Sequence, residues 1–364
     1  MKRLLRLILA FCTASLLANA HATDTETIAP YQDRFGRDRP LVAIVGENSG
    51  TELTDFAIPY GVLARSGTAQ VMTVAPRPGP LSMRPALKIQ PDATVSQFDE
   101  RYPDGADYVI VPAVVKRDDP ELLRWIAGQG AKGATIVSIC DGALVVANAG
   151  LLKGHRAVAH WATEAYRREH YPDTQWVDNI RYVADGKVVS SAGISAAMPT
   201  ALALLEAIGG HERAAALARE IGVADWSPAH DSDRFHPHWS NLTAYATMYT
   251  NGWFHASDKV GVPLADGMDE IALAFTADAW SRTSRSQAYG VSASSAAVRT
   301  RGGLTVLPER VTGGADAPQI MLPAFDATPP GKALDQVLAS VAERYGSRTA
   351  YRVALEFEYP SYQP

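Results

Sequence analysis

The chain predicts an α/β fold: a three-layer sandwich with a mostly parallel sheet, followed by a partial α/β repeat of the same unit. Three observations carry this. Apolar, β-rich runs alternate with helical segments from Pro40 to about Gly222. The central runs are apolar at successive positions, as strands covered on both faces are. Short residue patterns then recur at one constant spacing in the last third of the chain.

Taken in order, 41–45 and 69–75 read as strands flanking a helix over 54–66, which carries Pro59. A third strand covers 108–112. Helix 120–128 follows, with Asp118 or Asp119 as its N-cap. The run 134–139, bounded by Gly130 and Gly133, is a buried strand that leads into a short helix over 143–149, stopped by Gly150. Residues 162–170 are helical. Strands 180–183 and 187–191 flank the turn at Asp185-Gly186 as a hairpin. A long apolar helix over 195–208 ends at Gly209-Gly210.

Residues 225–258 differ in texture, being rich in Trp, His, Asp and Tyr, and read as a connector. Its aromatic residues Trp226, Trp239, Tyr245, Tyr249, Trp253 and Phe254 are expected to pack over the first domain and to wall a pocket. Beyond it the chain repeats itself. Arg65, Gln70, Val74, Arg84 and Leu87 return as Arg282, Gln287, Val291, Arg301 and Leu304, each 217 positions later. Residues 40–224 thus read as a complete domain and 259–364 as a truncated second copy. The copy is expected to hold a helix over 332–345 and a strand over 351–357, and to lack the segment that carries the nucleophile described next.

Cys140 sits between strand 134–139 and helix 143–149, in the order Ser138-x-Cys140-x-Gly142. This strand–sharp turn–helix form is a nucleophile elbow with Cys in place of Ser. The turn lifts the sulfur above the sheet edge, and the helix N-terminus favours a thiolate there. The plain alternative is a small buried cysteine at a strand end.

The first residues, with Lys2, Arg3 and Arg6, an apolar stretch to Leu17, and small residues at Ala18, Ala20 and Ala22, read as a signal peptide over 1–22. Cleavage after Ala20 or Ala22 is equally readable. The expectation is an exported protein, periplasmic in a Gram-negative cell, with no membrane association once the signal is removed. Cleavage removes Cys12 and leaves Cys140 as the sole cysteine. It also moves the net charge from −5 to −8, with 31 basic residues against 39 acidic ones. That balance argues against nucleic acid as a partner.

Four stretches resemble the ThiJ/PfpI superfamily, within the class I glutamine amidotransferase-like, flavodoxin-like fold: 51–59 around Asp55, 138–154 around Cys140, 156–161 with His160, and 190–197 with Gly193. The nearest flavour is the branch of isonitrile hydratases and the amidase-like sensor domains of AraC-type regulators. The resemblance implies that Cys140 is the reactive cysteine and Asp55 the first-helix acid that contacts its sulfur. It places His160 near the pocket, where it orients substrate, acts as base, or is simply a satisfied buried histidine. It gives Gly193 a place where backbone approaches the pocket. Two positions depart from the pattern. Asp141 stands where isonitrile hydratase-like members have Thr and peptidase-like members have His. Its N–H remains an oxyanion donor, but its charge opposes a thiolate. Ala113 stands where a glycine usually donates an oxyanion N–H.

His230, His236 and His238 concentrate metal-type side chains with Asp231 and Asp233, but around Pro237 they read as a solvated connector, so no metal or other cofactor is expected. The leading expectation is an exported Cys-dependent hydratase or amidase-like hydrolase, with Cys140 as nucleophile, Asp55 as acid/base, and Asp141 and His160 as secondary candidates. A non-catalytic periplasmic sensor of a small ligand or of oxidation at Cys140 is the alternative, and a scaffold with dead pockets a third. The only other partner expected is a second copy, or none if the repeat replaces the homodimer partner that family members usually have.

Overall fold

A computed structural model describes residues 26–324 and 328–362. The signal-peptide reading, with Cys12, lies outside the described residues.

The first unit is built on a seven-stranded sheet in the order 182–185, 188–191, 135–138, 108–111, 41–45, 70–75, 93–94. Every pairing in it is parallel except the hairpin at one edge. Its central strands are buried along their whole length because both faces are covered. Val42, Ile44, Ile110 and Val137 face one core, with Leu53–Ser66 and Ala197–Gly209. Ala43, Val45, Val109 and Ile136 face the other, with Pro120–Ala131 and Gly142–Asn148. This is the α/β sandwich that the alternation predicts. Asp119, not Asp118, caps helix Pro120–Ala131, accepting from the N–H groups of Glu121 and Leu122.

The second unit holds a four-stranded parallel sheet in the order 310–311, 286–292, 258–263, 320–321. That is the order of 93–94, 70–75, 41–45 and 108–111 in the first sheet. Helix Glu270–Ser281 corresponds to helix Leu53–Ser66 at the same spacing of 217. Strand Thr305–Leu307 pairs antiparallel with Lys88–Gln90, so one small sheet crosses from unit to unit. The larger core is shared as well, running from Phe56 and Ile58 through Ile271 and Phe275 to Phe357.

Two readings are corrected. Residues 351–357 are not a strand: helix Ser347–Glu356 covers 351–356 and Phe357 caps it, because Ala350, Val353, Ala354 and Phe357 are buried in steps of three and four rather than alternately. The connector contains the helix Leu242–Phe254, and its aromatics do not all pack down. Trp239, Tyr249, Trp253 and Phe254 are exposed, while Tyr245 meets Trp161 edge-on and Trp226 donates to Glu206. Among the described residues, no helix is long and apolar enough to cross a membrane.

Candidate active site

Cys140 follows strand Thr135–Ser138, which its parallel neighbours hold on both sides. The chain reverses at the cysteine itself, with φ of 56°, a conformation that costs a non-glycine residue about 1–3 kcal/mol. Helix Gly142–Asn148 starts two residues later. A Cβ at Gly142 would stand 1.9 Å from the Val111 carbonyl oxygen, so only glycine permits so tight a turn. The Cys140 N–H donates to Ser191 Oγ at 3.3 Å. Strand, helix and hydrogen bond together hold the sulfur in one place.

The thiol lines a cavity of about 440 Å³. The first unit contributes Cys140, Asp141, Ala113, Val114, Thr163 and Ile194, and the second contributes Arg282, Arg352 and Glu356. Asp55 lies beneath this lining, fully buried. Its Oδ2 accepts the Ala113 N–H at 3.2 Å, while Oδ1 has no hydrogen-bond partner. Burial raises the Asp55 carboxyl well above the usual carboxylate range, against the Ala113 N–H and the Arg282 charge. Burial also pushes the Cys140 thiol well above its ordinary value, and the charges of Asp55, Asp141 and Glu52 push the same way. The Asp141 N–H opposes them but does not prevail. The expected thiolate-favouring effect of the short helix is thus overridden: removing water and gathering acids costs an anion more than one helix end returns.

The remaining candidates are held as follows. Asp141 accepts Thr163 Oγ1–H at 2.7 Å, and burial raises its carboxyl against His160 and that hydrogen bond. His160 lines the cavity, but its Nδ1 accepts the Ala162 N–H at 3.1 Å and its Nε2 donates to the Glu356 carbonyl at 2.9 Å. Neither nitrogen is left for proton transfer, which is the satisfied-histidine arrangement. The Gly193 N–H donates to Glu358 Oε2 at 3.0 Å, and a Cβ there would stand 2.6 Å from Glu358 and His160. Gly193 therefore admits the Glu358 carboxylate rather than a substrate oxyanion. The Ala113 N–H is given to Asp55, leaving the Asp141 N–H as the donor beside the sulfur. The connector histidines are dispersed: His230 pairs with Glu358, His238 with Ser240, and His236 meets the Trp161 ring at a tilt.

Sequence reasoning missed the second unit's contribution. Arg282 makes ion pairs with Glu52, Asp278 and Glu356, drawing acids from both units around one guanidinium. Glu358 is fully buried and accepts from the N–H groups of Trp161 and Gly193 and from His230 Nε2. These contacts fix the end of helix Ser347–Glu356 over the cysteine pocket. A signal existed: Arg282 is the repeat mate of Arg65, and each reaches an acid of the opposite unit, Glu52 and Asp269 respectively.

The fold and the elbow define a class: a parallel α/β domain carrying one buried cysteine at a strand–helix turn. Residues 41–207 match the DJ-1/PfpI family, and this part of the chain is a DJ-1/PfpI family domain. Isonitrile hydratase from Pseudomonas putida is 28% identical over 179 residues, 48% of this chain and 75% of that protein. The HTH-type transcriptional regulator CdhR from Pseudomonas aeruginosa is 30% identical over 115 residues, 32% of this chain and 34% of the regulator. Among solved structures, a ThiJ/PfpI family protein from Pseudomonas syringae aligns over 58% of this chain and 86% of its own at 21% identity, with a TM-score of 0.49.

Proposed function

We propose that this chain is an exported, Cys-dependent hydratase or amidase-like hydrolase that acts on a small electrophilic substrate. One observation carries the reading. Cys140 is held at positive φ on the wall of a cavity, above a buried acid that keeps one oxygen unpartnered. A strained cysteine kept in place by its surroundings is a device for presenting sulfur.

In this scheme Sγ forms a bond to the electrophilic carbon. The thiol proton passes to Asp55, whose carboxyl burial raises above the usual carboxylate range, and on to the substrate. The Asp141 N–H faces the developing negative charge. With an isonitrile, water then attacks the same carbon, the C–S bond breaks and a proton returns to the sulfur, so the cycle adds one water. With an amide, the Asp55 proton goes to the nitrogen, the C–N bond breaks and ammonia leaves, and water then cleaves the thioester to release the acid and the thiol. The test uses alkyl isonitriles and small primary amides as substrates. Turnover that disappears in Cys140→Ala and Cys140→Ser supports the reading, and turnover that survives both sinks it. Export is checked by N-terminal sequencing of protein from the periplasmic fraction, where chains should begin after Ala20 or Ala22.

The second reading, a ligand or redox sensor, is favoured by the pushed-up thiol and by the amides of Ala113 and Gly193 being already engaged. It predicts ligand binding, or reversible oxidation at Cys140, with no turnover.

A further inference from the structure

We propose, resting on the Cys140 reading above, that the pocket takes a small organic anion, its carboxylate held by Arg84 and Arg117 at the rim while its electrophilic carbon meets the sulfur. The argument is an account of charge. Three carboxylates and four guanidinium groups line the cavity. The acids are engaged: Glu52 by Arg282, Glu356 by Arg282 and Arg352, and Asp141 by the Thr163 hydroxyl, with the Arg167 and Arg117 charges acting on it from beyond ion-pair distance. Arg282 is engaged in turn, with three carboxylates around it.

Arg84 and Arg117 differ. Among the described residues, neither has a carboxylate within ion-pair distance or a hydrogen bond from its guanidinium. Arg117 instead lies over the Tyr166 ring, at 4.7 Å from its centroid, which leaves the edge of its planar fork free to donate. Arg84 ends strand Leu81–Arg84, in register with Glu52 of the neighbouring strand, and both residues line the cavity that the sulfur faces. Arg352 also lines the cavity, and its Nε is buried with no acceptor. Cationic donors left unmatched around a cavity whose acids are engaged call for a ligand that brings the acceptor. The cavity's size suits a small molecule rather than a protein segment.

The probes are iodoacetate and iodoacetamide, which alkylate the same sulfur and differ by one charge. The ratio of their rate constants at a single pH cancels the ionisation of the thiol itself. N-acetylcysteine amide measured alongside supplies the reference. The expected ratio exceeds that reference by about tenfold at low salt and falls as salt is added. Arg84→Gln and Arg117→Gln each lower it, and the double variant returns it to the reference. A ratio at or below the reference in the native protein, or one unmoved in the double variant, overturns the proposal. Failure of both reagents to react would count against Cys140 as nucleophile, not against the anion. In that case calorimetry on Cys140→Ala decides: benzoate bound about tenfold more tightly than benzamide, with the preference lost in the double variant, supports the anion. Equal binding, or none, overturns it.

Discussion

Ile89 lies directly opposite Val306 in an antiparallel strand pair, and the two residues are repeat mates, 217 positions apart. A residue that pairs with its own equivalent marks a local two-fold axis between the units. The ion pairs Arg65–Asp269 and Arg282–Glu52 exchange under the same relation. The chain therefore carries within itself an interface of the self-complementary kind that two identical subunits make. The expected outcome is a monomer in light scattering across a wide concentration range. A stable dimer would show that the internal copy does not occupy the partner's place.

Arg282 is the most exposed point of failure in this arrangement. Arg282→Met would leave Glu52 and Asp278 without their cation, with Glu356 held by Arg352 alone, and Asp278 is fully buried. Breaking such a cluster from one side should cost about 3–5 kcal/mol in urea unfolding. Arg65→Met should cost less, because its closest partner Asp269 is partly exposed and the second, Glu220, is half in solvent. Equal losses would mean that the acids around Arg282 relax into water.

The thiol of Cys140 should titrate above the free-cysteine value of about 8.5 in a pH profile of alkylation. Asp55→Asn should lower the midpoint, and Asp141→Asn should lower it less, since Asp55 is the leading charge acting on the sulfur after burial. Asp55→Asn has a second consequence. A carboxyl whose folded pKa is raised holds its proton more tightly when folded, so stability falls as pH rises from the ordinary Asp value of about 3.9 toward the folded value. The variant should remove that decline and be more stable than the native protein at neutral pH. A midpoint indifferent to both substitutions would mean that the acids do not feel the sulfur.

Glu358 has the opposite sign. Burial acts to raise its carboxyl, but the hydrogen bonds from His230 and from the Trp161 N–H outweigh it and hold the pKa low. Its stabilisation is complete above the ordinary Glu value of about 4.3 and is lost as pH falls through the lower folded value. Glu358→Gln should flatten that acid limb and cost about 3 kcal/mol at neutral pH, because His230 is buried with it. An unchanged acid limb would place the titrating group elsewhere.

Local chemistry explains what was readable in advance. Runs such as Leu41–Val45 and the glycine at position 142 declare a buried strand and a tight turn through their own composition, because propensity and steric limits act over a few residues. The repeat was readable for a related reason: residues under the same packing constraint keep the same spacing. Helix Ser347–Glu356 was misread because a short apolar run fits either period until its burial is known. The hydrogen bonds that occupy His160, Gly193 and Ala113 join residues far apart in the chain, and no local pattern announces them.

By itself, then, the sequence determined the α/β class, the turn at Cys140, the acid at position 55 and the existence of a second copy. Tertiary structure alone decided that the copy's Arg282, Arg352 and Glu356 wall the pocket, that Glu358 takes the Gly193 N–H, and that the thiol is buried among acids. The division follows from range. Steric and propensity effects are settled between neighbours, whereas desolvation and charge pairing depend on which distant groups the folded chain brings within a few ångströms.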